Sequence, residues 1–123
     1  MTDFGLTPQH TDGDLVLADI TGELDLTTAP GLRAQALDLV ERGHRHLILD
    51  LEAVTFCDSS GFNALIGIWR CATAADGTLV LSAVPDRLQR MLNLTGLSTL
   101  LPAYPTAADA LTAHTRSQDA ATT

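Results

Sequence analysis

Apolar residues recur along this chain in two rhythms. Leu15 to Ile20 alternate imperfectly, bounded by Asp12-Gly13-Asp14 before and Gly22 after, which predicts a strand. Residues 4–9 read as a short strand across that turn, so the pair forms a β-hairpin. The spacing then changes. Leu32, Ala36, Leu39 and Val40 recur at i, i+4, i+7 and i+8, one face of a helix. Thr27-Thr28-Ala29-Pro30 offers its Thr cap and first-turn Pro, and Gly43 its stop. His46 to Leu51 is almost wholly apolar, which predicts a strand buried on both faces, as in parallel sheets.

Val54-Thr55-Phe56 leads to Asp58, and a second helix follows with Phe62, Leu65, Ile66, Trp69 and Ala72 along its apolar stripe. Asp76-Gly77 closes it, and Thr78 to Leu81 is the next strand. Pro85 opens a third helix with Leu88, Met91 and Leu92 inward and Gly96 as its stop. Leu100-Leu101 reads as a last short strand. Thr106 with Asp109 three residues on is a capping pattern for a final helix to about His114. Residues 115–123 are small, polar and aperiodic, and read as a flexible tail after a single domain over residues 1–114. The order ββαβαβαβα predicts an α/β fold: a mixed, mostly parallel sheet with an antiparallel edge hairpin and four helices.

Composition narrows the function. At 123 residues and 46% hydrophobic the chain can build one core, poor in aromatics at 4%. A net charge of −8 argues against neutralising the phosphates of a nucleic acid and against docking on an anionic membrane. No apolar run is long enough to span a bilayer and the first residues lack a signal-peptide pattern, so the expected location is the cytoplasm. Cys57 and Cys71 make neither a disulfide framework nor a metal quartet and read as buried small hydrophobes.

The strongest local feature is Asp58-Ser59-Ser60-Gly61, where a buried strand hands over to a helix. Functional groups gather beyond the carboxyl ends of such strands, and a helix start favours anions, so Ser59 or Ser60 stands where a phosphate is tolerated. Spacing alone favours a plain N-cap by Asp58 or Ser59. A nucleophile elbow fails because Cys57, not Gly, precedes Ser59 by two. His10, His44, His46 and His114 read as solvated, so no triad is expected and the chain reads as no enzyme. Without Lys there is no standard P-loop, and no cofactor motif occurs. Glu23, Asp25, Asp50 and Asp58 invite thought of a divalent cation, but solvated loop carboxylates are the better reading and no metal is expected.

These segments resemble the STAS-domain family, and within it the stand-alone anti-sigma factor antagonists of bacteria. Thr21-Gly22-Glu23-Leu24-Asp25 is similar to the family's early T-G-E-L-D. Leu47 to Leu51 followed by Val54 to Gly61 is similar to its central strand and D-S-S-G loop, and Leu94-Thr95-Gly96-Leu97 to the end of its late helix. The resemblance spans roughly residues 10–114. It implies a switch that catalyses nothing. The unphosphorylated form binds an anti-sigma factor that is also a serine kinase, and a sigma factor is released. The kinase phosphorylates the first serine, Ser59, and a PP2C-type phosphatase restores the active form. Glu23, Asp25, Asp58, Ser60, Gly61 and Asn63 are the expected partner-binding residues. Asn63 stands where relatives often have Gly or Ala, and Arg70 is the lone basic residue of the second helix, where they often have more. The alternative is a constitutive STAS module of a stress-signalling or lipid-transport assembly. An acyl-transfer enzyme acting through Ser59 is the remotest reading.

Overall fold

β1 (Phe4–Asp12) and β2 (Leu15–Leu24) form the hairpin, and the remaining strands run parallel to β2 in the computed structural model, which describes residues 4–121. The other elements are α1 (Ala29–Glu41), β3 (His46–Cys57), α2 (Ser59–Ala74), β4 (Thr78–Ser82), α3 (Asp86–Thr95), β5 (Ala103–Tyr104) and α4 (Ala107–Ala121). A 3-10 turn at Leu97–Thr99 follows α3. The strands lie in the order β1-β2-β3-β4-β5, so each parallel connection steps to the next strand in one direction. Right-handed crossovers then put α1, α2 and α3 on one face of the sheet. The expected fold class is the observed one.

Side-chain alternation sorts the strands between two cores. Val16, Ala18 and Ile20 of β2 and Leu47, Leu49 and Leu51 of β3 meet Leu32 and Ala36 of α1, Leu65 and Ile68 of α2, and Leu88 and Leu92 of α3. Leu15, Leu17 and Ile48 point the other way, under Ala110 of α4. Each fully buried Leu or Ile contributes about 1.5–3 kcal/mol by leaving water, so the first core carries most of the stability.

The structure departs from the sequence pattern at four places. α4 continues to Ala121, past the end expected near His114, so residues 115–121 are helical. Ala and Gln favour helix even where no apolar stripe marks it. Residues 122–123 of that expected tail lie outside the described residues. The last strand is Ala103–Tyr104, not Leu100-Leu101, because Leu101 is buried in the main core and Pro102 passes the chain on to the edge of β4. β1 runs to Asp12, with a bulge between Pro8 and His10 where Pro cannot donate to the ladder. Finally, Thr28 is the N-cap of α1 by position, but its hydroxyl donates back to the Glu23 carbonyl at 2.7 Å and caps nothing.

Candidate functional site

β3 is longer than its neighbour β4, and that overrun builds the site. β4 pairs with His46 to Asp50 only, while Ala53 to Cys57 pair with β2 alone. The ends of β2 and β3 therefore project together beyond the sheet. Glu23 lies beside Phe56 and Leu24 beside Cys57, and the Asp58 N–H donates to the Leu24 carbonyl at 3.1 Å. The acidic turn after β2 and the serines after β3 thus share one tip.

Asp58 is the N-cap of α2. Its carboxylate accepts from the Ser60 N–H at 2.8 Å and the Gly61 N–H at 3.3 Å, while its carbonyl accepts from the Phe62 N–H at 3.0 Å. The helix start was expected to offer free N–H groups to a phosphate. Two of those amides are already bonded to Asp58, so an anion on Ser59 has to lie outside the cap and beside a like charge. Ser59 itself is exposed, and its hydroxyl bonds no protein group among the described residues.

Gly61 belongs to the site through packing. It is buried, and a Cβ there would lie 2.7 Å from Leu24 Cβ and 2.9 Å from both Cys57 Sγ and the Leu24 carbonyl oxygen. Only a residue without a side chain lets α2 start this close to β2. Gly61, expected among the partner-binding residues, is buried by this packing.

Asp25 organises the neighbouring turn. Its Oδ1 accepts from the Thr27 hydroxyl at 2.7 Å, the Thr27 N–H at 2.9 Å and the Thr28 N–H at 3.1 Å. Those bonds, the Thr27 hydroxyl first, hold the Asp25 carboxyl below the usual carboxylate range. Glu23 is exposed on β2. Asn63 is exposed on α2, and Ser60 stands half-buried at the edge of a groove of about 540 Å3 between α1 and α2. Leu26, Pro30, Ala34 and Leu37 make its apolar wall and Ser60, Asn63 and Ala64 the other side.

Three residues of this surface were missed by the sequence reading. Leu26 is 75% exposed at the groove and Phe56 is 40% exposed, with the Arg87 guanidinium 5.7 Å from its ring centre. The signal for Leu26 was its isolation: it fits neither the strand before it nor the helix after it. Phe56 and Arg87 come together only through the fold.

The other candidates separate from the site. Burial pushes the Cys57 thiol up to about 11, with Asp58 acting the same way, so it is no nucleophile at neutral pH. Cys71 is half-buried on α2 and Trp69 packs partly exposed against the main core. His10 is exposed as expected. His44, His46 and His114 are half-buried and only partly solvated, and His46 stands at the opposite end of β3 from Asp58, so no imidazole from β3 serves Ser59. Asp50 accepts from the buried Ser82 hydroxyl at 3.1 Å. Among the described residues no group of three or more His, Cys, Asp or Glu could hold a metal ion, and no helix is long and apolar enough to cross a membrane.

Known proteins share this fold. Residues 6–110 match the STAS domain. The chain is 30% identical over 105 residues to the anti-sigma F factor antagonist of Paenibacillus polymyxa, covering 85% of this chain and 89% of that protein. The crystal structure of an anti-sigma factor antagonist from Mycobacterium paratuberculosis aligns with a TM-score of 0.78 at 32% identity, over 90% of this chain and 93% of that one. The anti-sigma factor antagonist SpoIIAA in its unphosphorylated form shares the fold at a TM-score of 0.72 and 24% identity, over 89% of this chain and 93% of that one. SpoIIAA in the phosphorylated form, from Bacillus, does so at 0.71 and 23%, over 89% and 96%. By its matched sequence and its fold, the chain belongs to the STAS-domain family, as one of the anti-sigma factor antagonists.

Proposed function

We propose that this antagonist is a phosphorylation switch whose hydroxyl is Ser59. The unphosphorylated protein binds an anti-sigma factor serine kinase and so frees a sigma factor. Transfer of phosphate from ATP to Ser59 ends that binding, and a PP2C-type phosphatase reverses it. One observation carries the reading: Ser59 is exposed and unengaged at the projecting tip, while Asp58 holds the amides behind it. A kinase reaches this hydroxyl without unfolding anything.

The same geometry supports the direction of the switch. A phosphoserine adds about −1.5 to −2 charges. Here it joins Asp58, Glu23 and Asp25 with the nearest helix donors occupied, so the dianion stays hydrated on the surface. The fold of SpoIIAA is shared by its two forms, which supports a change of surface and not of fold. The partner would meet Glu23, Asp25, Ser60 and Asn63 around Ser59, with Leu26 and the apolar groove beside them. Asp58 and Gly61 act from behind, one as cap and one as spacer. A loss of about 3 kcal/mol at such a contact weakens binding about a hundredfold.

The test uses the kinase-type anti-sigma factor encoded in the same genome, with ATP, followed by intact mass and peptide mapping. One phosphate on Ser59 is expected. Ser59→Ala should bind the kinase and resist modification, and Ser59→Asp should fold but bind about tenfold or more weakly. Phosphate on Ser60 alone would overturn the assignment. No transfer, with equal affinity for Ser59→Asp and wild type, would instead establish a constitutive module.

A further inference from the structure

Among the described residues α4 is the helix that packs on the second face of the sheet, over a smaller apolar cluster than the main core. Its Ala107, Ala110 and Leu111 share an apolar cluster with Leu15, Leu17, Ile48, Val80 and Tyr104. One turn further on, the His114 ring stands 5.4 Å from the His46 ring, the planes tilted by 52°. His46 begins β3 with its side chain only 14% exposed. Its Nδ1 is 3.0 Å from the Thr78 hydroxyl on β4, and its Nε2 is 3.7 Å from Asp14 Oδ2 at the start of β2. That carboxylate is already shared, because Arg45 Nε donates to the same oxygen at 3.0 Å.

The charge balance of this corner is therefore uneven. Asp14 and Arg45 compensate each other while both imidazoles are neutral. A proton on His46 adds a positive charge beside Arg45 against one carboxylate already occupied, on the ring that faces His114. We propose that the His46–His114 pair is a pH-sensitive latch that fastens α4 to the sheet while His46 is neutral and releases it as His46 takes up a proton. Burial, first, and then His114 and Arg45 hold His46 below the ordinary histidine range, with only Asp14 opposing. A base depressed in the docked state loses docking as pH falls from its free value near 6.5 towards the lower docked value. Release bares Leu15, Leu17 and Ile48, an apolar sheet face remote from Ser59.

The latch stands independently of the Ser59 switch, and its test needs neither kinase nor ATP. Amide hydrogen exchange of the full chain is compared at about pH 7.5 and about pH 5.5, after correction for intrinsic rates. α4 opening should increase towards pH 5.5, by at most about tenfold because the free imidazole titrates near 6.5, while α2 amides stay protected. His114→Gln keeps the helix and removes the facing charge. It should flatten most of that response and raise the His46 midpoint read by NMR. Equal α4 protection at both pH values would overturn the latch. So would an unchanged His46 titration in His114→Gln, or a parallel loss of protection in α2.

Discussion

Gly61→Ala and Gly67→Ala place the same methyl group in the same helix with opposite expected outcomes. At Gly67 the atoms nearest the new Cβ all belong to the Arg33 side chain, 3.2 Å to its Cζ and 3.3 Å to its Nε. A flexible guanidinium on an exposed residue moves aside, and Ala gains up to about 1 kcal/mol of helix propensity over Gly. At Gly61 the Cβ would lie 2.7 Å from Leu24 Cβ and 2.9 Å from the Leu24 carbonyl oxygen, groups fixed in the β2 ladder. Overpacking of this kind costs about 1–3 kcal/mol, and propensity returns little in the first helical turn. The net expectation is a loss of about 1–2 kcal/mol at Gly61 and a change between zero and a gain of about 1 kcal/mol at Gly67. For a chain of this size that separates the melting midpoints by roughly 4–12 °C. Thermal unfolding followed by circular dichroism reads both. The function should follow: lifting α2 off Leu24 moves Ser59, so Gly61→Ala should be a poorer kinase substrate while Gly67→Ala is unaffected. Equal midpoints for the two variants would refute the claim that contact with Leu24 fixes the helix start.

Two further expectations rest on ionisation. Cys57, with its thiol pushed up to about 11, should resist iodoacetamide at pH 8, where about a thousandth of it is thiolate, until denaturant is added. Half-buried Cys71 should react first, and mass mapping that finds Cys57 modified in the folded protein would refute this. Asp19 stands beside Asp50 in the β2–β3 register, and burial, then Asp50 and Glu52, raise its carboxyl above its ordinary value of 3.8. Its ionisation therefore opposes folding, so wild-type stability should fall relative to Asp19→Asn as pH rises from 3.8 through the raised folded value. Parallel denaturation midpoints across that window would show that Asp19 is not strained.

Where hydrophobic rhythm and local chemistry agree, the sequence alone determined the outcome. Leu32, Ala36 and Leu39 line the buried face of α1, Leu47 to Leu49 form a strand buried on both faces, and Gly96 stops α3 in the left-handed conformation. Asp58 caps α2 as its position before a helix start suggested. These are short-range facts, set by side-chain spacing and backbone conformation within a few residues. Only the tertiary structure decided which groups meet. The overrun of β3 past β4 brings Glu23 beside Phe56, the Leu24 contact explains Gly61, and α4 lays His114 on His46. Leu101 illustrates the boundary: its apolar character read as strand, yet the core took its side chain and left the edge to Ala103–Tyr104. A local pattern states that a residue will be buried. What buries it depends on strand length and register, which are settled by the packing of segments distant in the chain.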